Sequence, residues 1–111
     1  MASFRQIRLP PGVQIPFTWV RARGDRAFDS GHGALAADSS PARPVGKVPG
    51  EVPLDAAQQS ARLATLAVLA SLKSALGDLD RVSAWLMVSG YINAETGYPQ
   101  TTDVMNPFSR I

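Results

Sequence analysis

The chain has 111 residues, 45% of them hydrophobic and 18% charged, with a formal net charge of +2. That suffices for one domain with one core and is too apolar for a disordered chain. It holds no cysteine and one histidine, His32, which excludes disulfides, thiol catalysis, cysteine-ligated zinc and a multi-histidine metal centre within one chain. The basic residues are scattered, and Arg21, Arg23 and Arg26 form the one local cluster, with Asp25 inside it. A nucleic-acid surface needs a denser patch with interleaved aromatics, so no nucleic-acid partner is expected. No apolar run reaches the length of a membrane span, and the N-terminus lacks the apolar core of a signal peptide. No membrane partner and a cytoplasmic location are therefore expected.

Residues 4–9 alternate imperfectly as a first strand, stopped by Pro10-Pro11-Gly12. Residues 17–22 read as a second strand, Arg23-Gly24-Asp25-Arg26 as its hairpin turn, and residues 27–30 as a short third strand. Residues 36–53 are rich in Ala, Ser, Pro and Gly, and Pro41, Pro44, Pro49 and Pro53 exclude regular structure there. This is a loop near the upper length for a compact domain.

Residues 55–76 contain neither glycine nor proline. Ala57, Ala61, Ala64, Val68, Leu72 and Ala75 recur at steps of three and four, which is one apolar helix face. Gln58, Arg62, Thr65 and Lys73 supply most of the opposite face. Asp55 suits a helix N-terminus and Gly77 a positive-φ stop; Asp78 and Asp80 read as a solvated turn. From Val82 to Ile92 apolar residues alternate with Ser83, Trp85, Met87, Ser89 and Tyr91, a strand of period two. Trp85, Met87 and Tyr91 form a face too large and apolar for water, and in so short a chain another subunit is expected to cover it. Residues 100–105 start a further helix, with Pro107 either interrupting it or marking the first turn of one capped by Asn106.

Ser30-Gly31-His32-Gly33 is the stretch richest in chemistry. A serine nucleophile would need an orienting third group, an oxyanion hole and a nucleophile elbow, and none is legible. Anion reception suits it better, because backbone N–H groups at Gly31 and Gly33 have no Cβ to keep a ligand away. The alternative is that both glycines merely shape a turn. The acidic residues form no paired motif with metal-ligand spacing, and phosphate-binding glycine motifs are absent.

Three stretches resemble the RidA family, historically labelled endoribonuclease L-PSP. They are Pro16-Phe17 with Gly24-Asp25 and Phe28-Asp29-Ser30-Gly31; the helix ending Leu72-Lys73-Ser74-Ala75-Leu76-Gly77 followed by Asp78-Leu79-Asp80-Arg81-Val82; and Tyr91-Ile92-Asn93 leading to Asn106. The match spans roughly residues 5–106 and looks closest to the family's longer members. It implies a single α+β domain of the chorismate-mutase-like type, C-terminally shortened, with a long helix packed on one face of the sheet. It also implies a homotrimer whose sheets face inward, and a cofactor-free site between subunits that hydrolyses 2-iminobutanoate- or 2-iminopropanoate-type imines and enamines to 2-keto acids and ammonia. Mapped by the motifs, Ser30 and Asn106 are the catalytic candidates, and Phe17 and Gly31 the ligand-binding ones; His32, between the two glycines, is a further ligand-binding candidate from the tetrapeptide itself. Phe17 stands where the family has a tyrosine. The family's carboxylate-binding arginine lies on a strand beyond Asn106 that has no counterpart here, and Arg110 is too close to Asn106 to match it. The expectation is therefore a RidA-like protein that binds a small carboxylate-containing metabolite with weak or no turnover. An active deaminase and a purely structural or protein-interaction module are the alternatives. Ribonuclease activity finds no acid–base pair in the sequence.

The subunit expectation is checked by light scattering at micromolar concentration. A trimer should weigh three times the 11.8 kDa chain, and a clean monomer would contradict it.

Overall fold

The computed structural model describes residues 11–12 and 18–110; the strand expected over residues 4–9 lies outside them. The described residues form an α+β arrangement of two short antiparallel strands, β1 (Val20–Arg23) and β2 (Arg26–Asp29), and two helices, α1 (Leu54–Leu76) and α2 (Thr101–Ser109). A single 3-10 turn, Leu79–Arg81, follows α1. β1 and β2 are joined tightly through Gly24 at φ 60°, with Arg23 opposite Arg26 and Val20 opposite Asp29. A positive φ there is the conformation that two-residue hairpins favour and that glycine adopts at little cost.

α1 begins one residue before the expected start and stops at Leu76 as expected. Asp55 lies in its first turn and accepts from Ala56 N–H at 2.9 Å. Gly77 ends it at φ 85°, donating its N–H to Lys73 O at 2.8 Å. The motif that follows completes the stop. Arg81 Nη1 donates to Leu76 O at 2.8 Å, satisfying one of the carbonyls a helix end leaves open. Asp78, expected as plain solvated turn, accepts from Asp80 N–H at 2.9 Å and so caps the 3-10 turn.

The buried surface of α1 is wider than one stripe. Ala57, Ala61 and Leu72 are buried as expected, but Ala75 is exposed, and Leu66, Ala67, Ala70 and Ser71 are buried as well. Thr65, assigned by pattern to the polar face, is 0% exposed. Its hydroxyl donates to Ala61 O at 2.9 Å, so it enters the interior with its donor satisfied. α2, the hairpin and the 3-10 turn all contact α1, and its small side chains let these neighbours come close.

α2 corrects the reading of Asn106 as an N-cap. The helix spans Thr101–Ser109 with Pro107 inside it. Proline has no N–H for the carbonyl four residues back, which here is Asp103 O. Gln58 of α1 replaces the lost donor: its Nε2 donates to Asp103 O at 3.0 Å. The same helix pair encloses Val48, Val52, Ala57 and Val104, with Leu54, Ala56, Ile92 and Tyr98 packed against them. The loop over residues 36–53 is irregular as expected, yet Val48 and Val52 at its end belong to this core.

The strand expected over residues 82–92 is corrected too. The chain there runs without turn or bend but joins no ladder among the described residues; pairing begins only where Ala94 forms a parallel bridge with Val48. Period-two alternation sets a strand's side-chain geometry, but a ladder requires a neighbour. Nor do the two faces separate: Leu86 from the face expected inside is 76% exposed, while Trp85 from the other leans on Phe108 with ring centroids 5.7 Å apart.

Replacing Gln58 by Ala should cost about 1 kcal/mol, the usual worth of one such hydrogen bond, read as a lower urea midpoint. The cost should shrink in a Pro107→Ala background, where residue 107 regains an N–H for Asp103 O. Equal costs in both backgrounds would show that the Gln58 bond does not stand in for the missing helix donor.

Candidate functional site

The hairpin positions the candidate site. Beyond the β1–β2 ladder, Ser30 N–H donates to Trp19 O at 2.9 Å, which extends the pairing by one step and brings residues 30–33 beside Trp19. His32 then stacks on the Trp19 indole, with ring centroids 4.7 Å apart and planes 24° from parallel. His32 Nε2 donates to Asp29 Oδ1 at 2.9 Å, and the His32 side chain is 4% exposed. An ionised carboxylate only accepts, so this bond places the proton on Nε2. Asp29 and Trp19 are the partners that sequence reasoning missed. The i,i+3 spacing of Asp29 and His32 was the available signal for the first; the Trp19 stack depends on strand register and left none.

A second small turn closes the surroundings. Ala42 N–H donates to Ala34 O at 3.0 Å, and Leu35 bridges Pro41. Asp38 Oδ1 holds the tip by accepting from Ser40 N–H at 3.0 Å and from the Ser40 hydroxyl. Between this turn and the Trp19–His32 stack lies a cavity of about 140 Å³, lined by both together with Gly31, Gly33 and Ala34. It is below the roughly 300–1,000 Å³ of drug-sized sites, so it suits a molecule of few atoms. Neither Gly31 nor Gly33 has positive φ, and a Cβ at either would meet nothing within 4 Å. The backbone at both faces open space.

Asp29 and Ser30 precede this lining in the chain and are not part of it; among the described residues Asp29 Oδ2 and Ser30 Oγ are buried without a hydrogen-bond partner, as is the Tyr98 hydroxyl. Such atoms are uncommon and require an explanation. Together Asp29 Oδ2 and Ser30 Oγ offer one acceptor and one group that both donates and accepts.

Of the sequence candidates, Ser30, Gly31 and His32 come together here. Phe17 lies outside the described residues. Asn106 is on α2, which touches neither strand of the hairpin, so Asn106 and Ser30 are carried by parts of one chain that do not meet. Register also decides the arginines. Arg21, Arg23, Arg26 and the exposed Phe28 share one face of the hairpin, while Asp29 points to the other with Val20, Ala22 and Ala27. Those three arginines therefore point away from the Asp29 face. Among the described residues no group of three or more His, Cys, Asp or Glu could hold a metal ion, and no helix is long and apolar enough to cross a membrane.

No protein-family model and no protein of curated function matches the sequence. Among solved structures, the crystal structure of an Agrobacterium tumefaciens protein of unknown function is similar, with a TM-score of 0.70 and 23% identity. The likeness covers 89% of this chain and 63% of that one. It shows a shared fold and carries no function.

Replacing His32 by Ala removes a hydrogen bond to a carboxylate and an aromatic stack, and leaves Asp29 unpaired in a poorly hydrated place. The expected loss is about 2–3 kcal/mol. In a Trp85→Phe background Trp19 is the sole indole, so its emission should shift to longer wavelength in the same variant. An unchanged spectrum would mean that the stack does not persist in solution.

Proposed function

We propose that this chain is a RidA-like protein of chorismate-mutase-like fold that binds a small carboxylate-containing metabolite at Ser30-Gly31-His32 and turns it over weakly or not at all. What supports the reading is the small cavity lined by Gly31, His32 and Gly33, which directly follow Asp29 and Ser30 in the chain, whose Oδ2 and Oγ are buried and lack a partner among the described residues. A 2-imino or 2-amino acid has complementary groups: its N–H answers Asp29 Oδ2, and its carboxylate answers the Ser30 hydroxyl and the open glycine backbone. An apolar ring stack against a short carbon skeleton fits the same class. In this reading Asn106 would reach the ligand only from a neighbouring subunit.

Weak turnover follows from the charges. A carboxylate ligand placed near Asp29 needs a cation, ordinarily a bidentate arginine, and the three hairpin arginines face away. The deaminase reading keeps one supporting observation. His32 pairs with Asp29 at 2.9 Å, and such a pair can orient an imidazole for proton transfer. The low exposure of His32 works against its reaching a substrate.

Two measurements separate the readings. Calorimetry with alanine, a stable 2-amino acid, should give weak binding that drops about fivefold in Ser30→Ala, the worth of one hydrogen bond. Freshly generated 2-aminoacrylate should decay with little acceleration, followed as 2-keto acid release. A robust rate that falls on changing Ser30 or Asn106 would establish the deaminase instead, and no binding would leave the structural role.

A further inference from the structure

The β1–β2 ribbon stands out into solvent. Residues 21–28 are all exposed although the two strands pair along their whole length, and Val20 at the base is the one fully buried residue of the ladder. The outer part of the ribbon therefore has two bare faces of opposite character. One carries the small pair Ala22 and Ala27. The other carries Arg21 opposite Phe28 and Arg23 opposite Arg26. Among the described residues no carboxylate pairs with any of these arginines. Arg23 Nη1 donates to Ala22 O at 2.8 Å, which leaves its other donors for a partner. Asp25, the nearest acid in sequence, lies in the turn beyond the ladder. Phe28 is 62% exposed, so an aromatic ring stands at the end of a patch of uncompensated positive charge.

We propose that this face binds single-stranded nucleic acid, with phosphates meeting Arg21, Arg23 and Arg26 and one base stacking on Phe28. Along the sequence these arginines lack the density and the interleaved aromatic that such a surface needs. Hairpin register supplies both, by folding Arg26 and Phe28 beside Arg23 and Arg21. Residues two apart on a strand are about 6.7 Å apart and opposed ones about 4.5–5.5 Å, so the four side chains share one small patch. Like charges held side by side favour an anion between them, and a polyanion also releases its own counterions on binding. Guanidinium is the side-chain group that meets phosphate bidentately. Phe28 selects among polyanions: an acidic peptide gives the ring nothing to stack on, whereas every base has a π-face. A duplex keeps its bases stacked on one another, so the single strand is the form that fits. The face points away from Asp29, so this contact is separate from ligand binding at Ser30.

The test is fluorescence anisotropy with labelled oligothymidylate and, in parallel, oligouridylate, each of about twelve nucleotides. Both should bind the wild-type chain at about 50 mM salt, and log affinity should fall against log salt with a slope of about −2, the value for three phosphates on a single strand. Arg21→Ala, Arg23→Ala and Arg26→Ala should each make that slope shallower by about 0.7. Phe28→Ala should weaken binding about fivefold or more with the slope unchanged, and annealing a complementary strand should abolish that difference. All four side chains are exposed, so the variants should keep the wild-type far-UV circular dichroism and urea midpoint. No binding at low salt would overturn the proposal, as would a slope that survives replacement of all three arginines. Equal affinities of wild type and Phe28→Ala would also overturn it. So would competition by polyglutamate as effective as that by unlabelled oligothymidylate, which would make the partner an acidic polypeptide.

Discussion

The fold depends on how closely other elements approach α1. At 23 residues it is about 34 Å long, and its middle, from Thr65 to Leu72, carries buried residues at six of eight positions. Such a helix behaves as an interior element rather than an amphipathic lid. Its small residues make this feasible. Ala57, Ala61, Ala67, Ala70 and Ser71 keep the surface low, and Thr65 folds its hydroxyl back on Ala61 O. A larger residue at Ala67, which is 2% exposed, would displace its neighbours, and overpacking of this kind typically costs about 1–3 kcal/mol.

Where local rules sufficed, the structure was legible in the sequence. α1 and its stop at Gly77 follow from the absence of Gly and Pro and from one positive φ. The β1–β2 turn follows from Gly24. Non-local compensation was not legible. Pro107 reads as a helix boundary because it removes a donor, and Gln58, on the other helix and far away in sequence, supplies a donor to Asp103 O in its place. Thr65 misled for a related reason: a polar residue can enter a core when its partner is its own backbone. Residues 82–92 show a third limit, since alternation carries no information about a strand's neighbour. In the site, chain adjacency gave Ser30, Gly31 and His32, whereas Trp19 arrived through hairpin register.

Register also separates charge from chemistry. In a two-stranded ribbon, residues directly opposite share a face, so Arg21, Arg23, Arg26 and Phe28 stand together, and Asp29 stands with apolar neighbours. Arg23 opposite Arg26 places like charges side by side, normally unfavourable, and exposure to water keeps that cost small. The same geometry leaves Asp29 and His32 in a less hydrated setting, where a paired imidazole is held rigidly. A rigid, nearly enclosed histidine is better at fixing a ligand's neighbours than at exchanging protons with it.

Two features of the described residues have different locations: the hairpin arginines that face away from Asp29, and the stretch 83–92 whose backbone bonds to no other described residue. The first belongs to the hairpin side. The second belongs to the segment resting on α2, and α2 does not touch the hairpin. A contact made at one therefore need not alter the other. A strand neighbour along residues 83–91 would satisfy their backbone groups without bringing any arginine toward Asp29, because the face carrying Arg21, Arg23 and Arg26 is set by β1–β2 register. Turnover of an anionic substrate would need a separate neighbour that offers a guanidinium to the open side of the cavity. A strand neighbour and a ligand's counter-charge are thus separate matters in this chain, and supplying the first leaves the electrostatics around Asp29 unchanged.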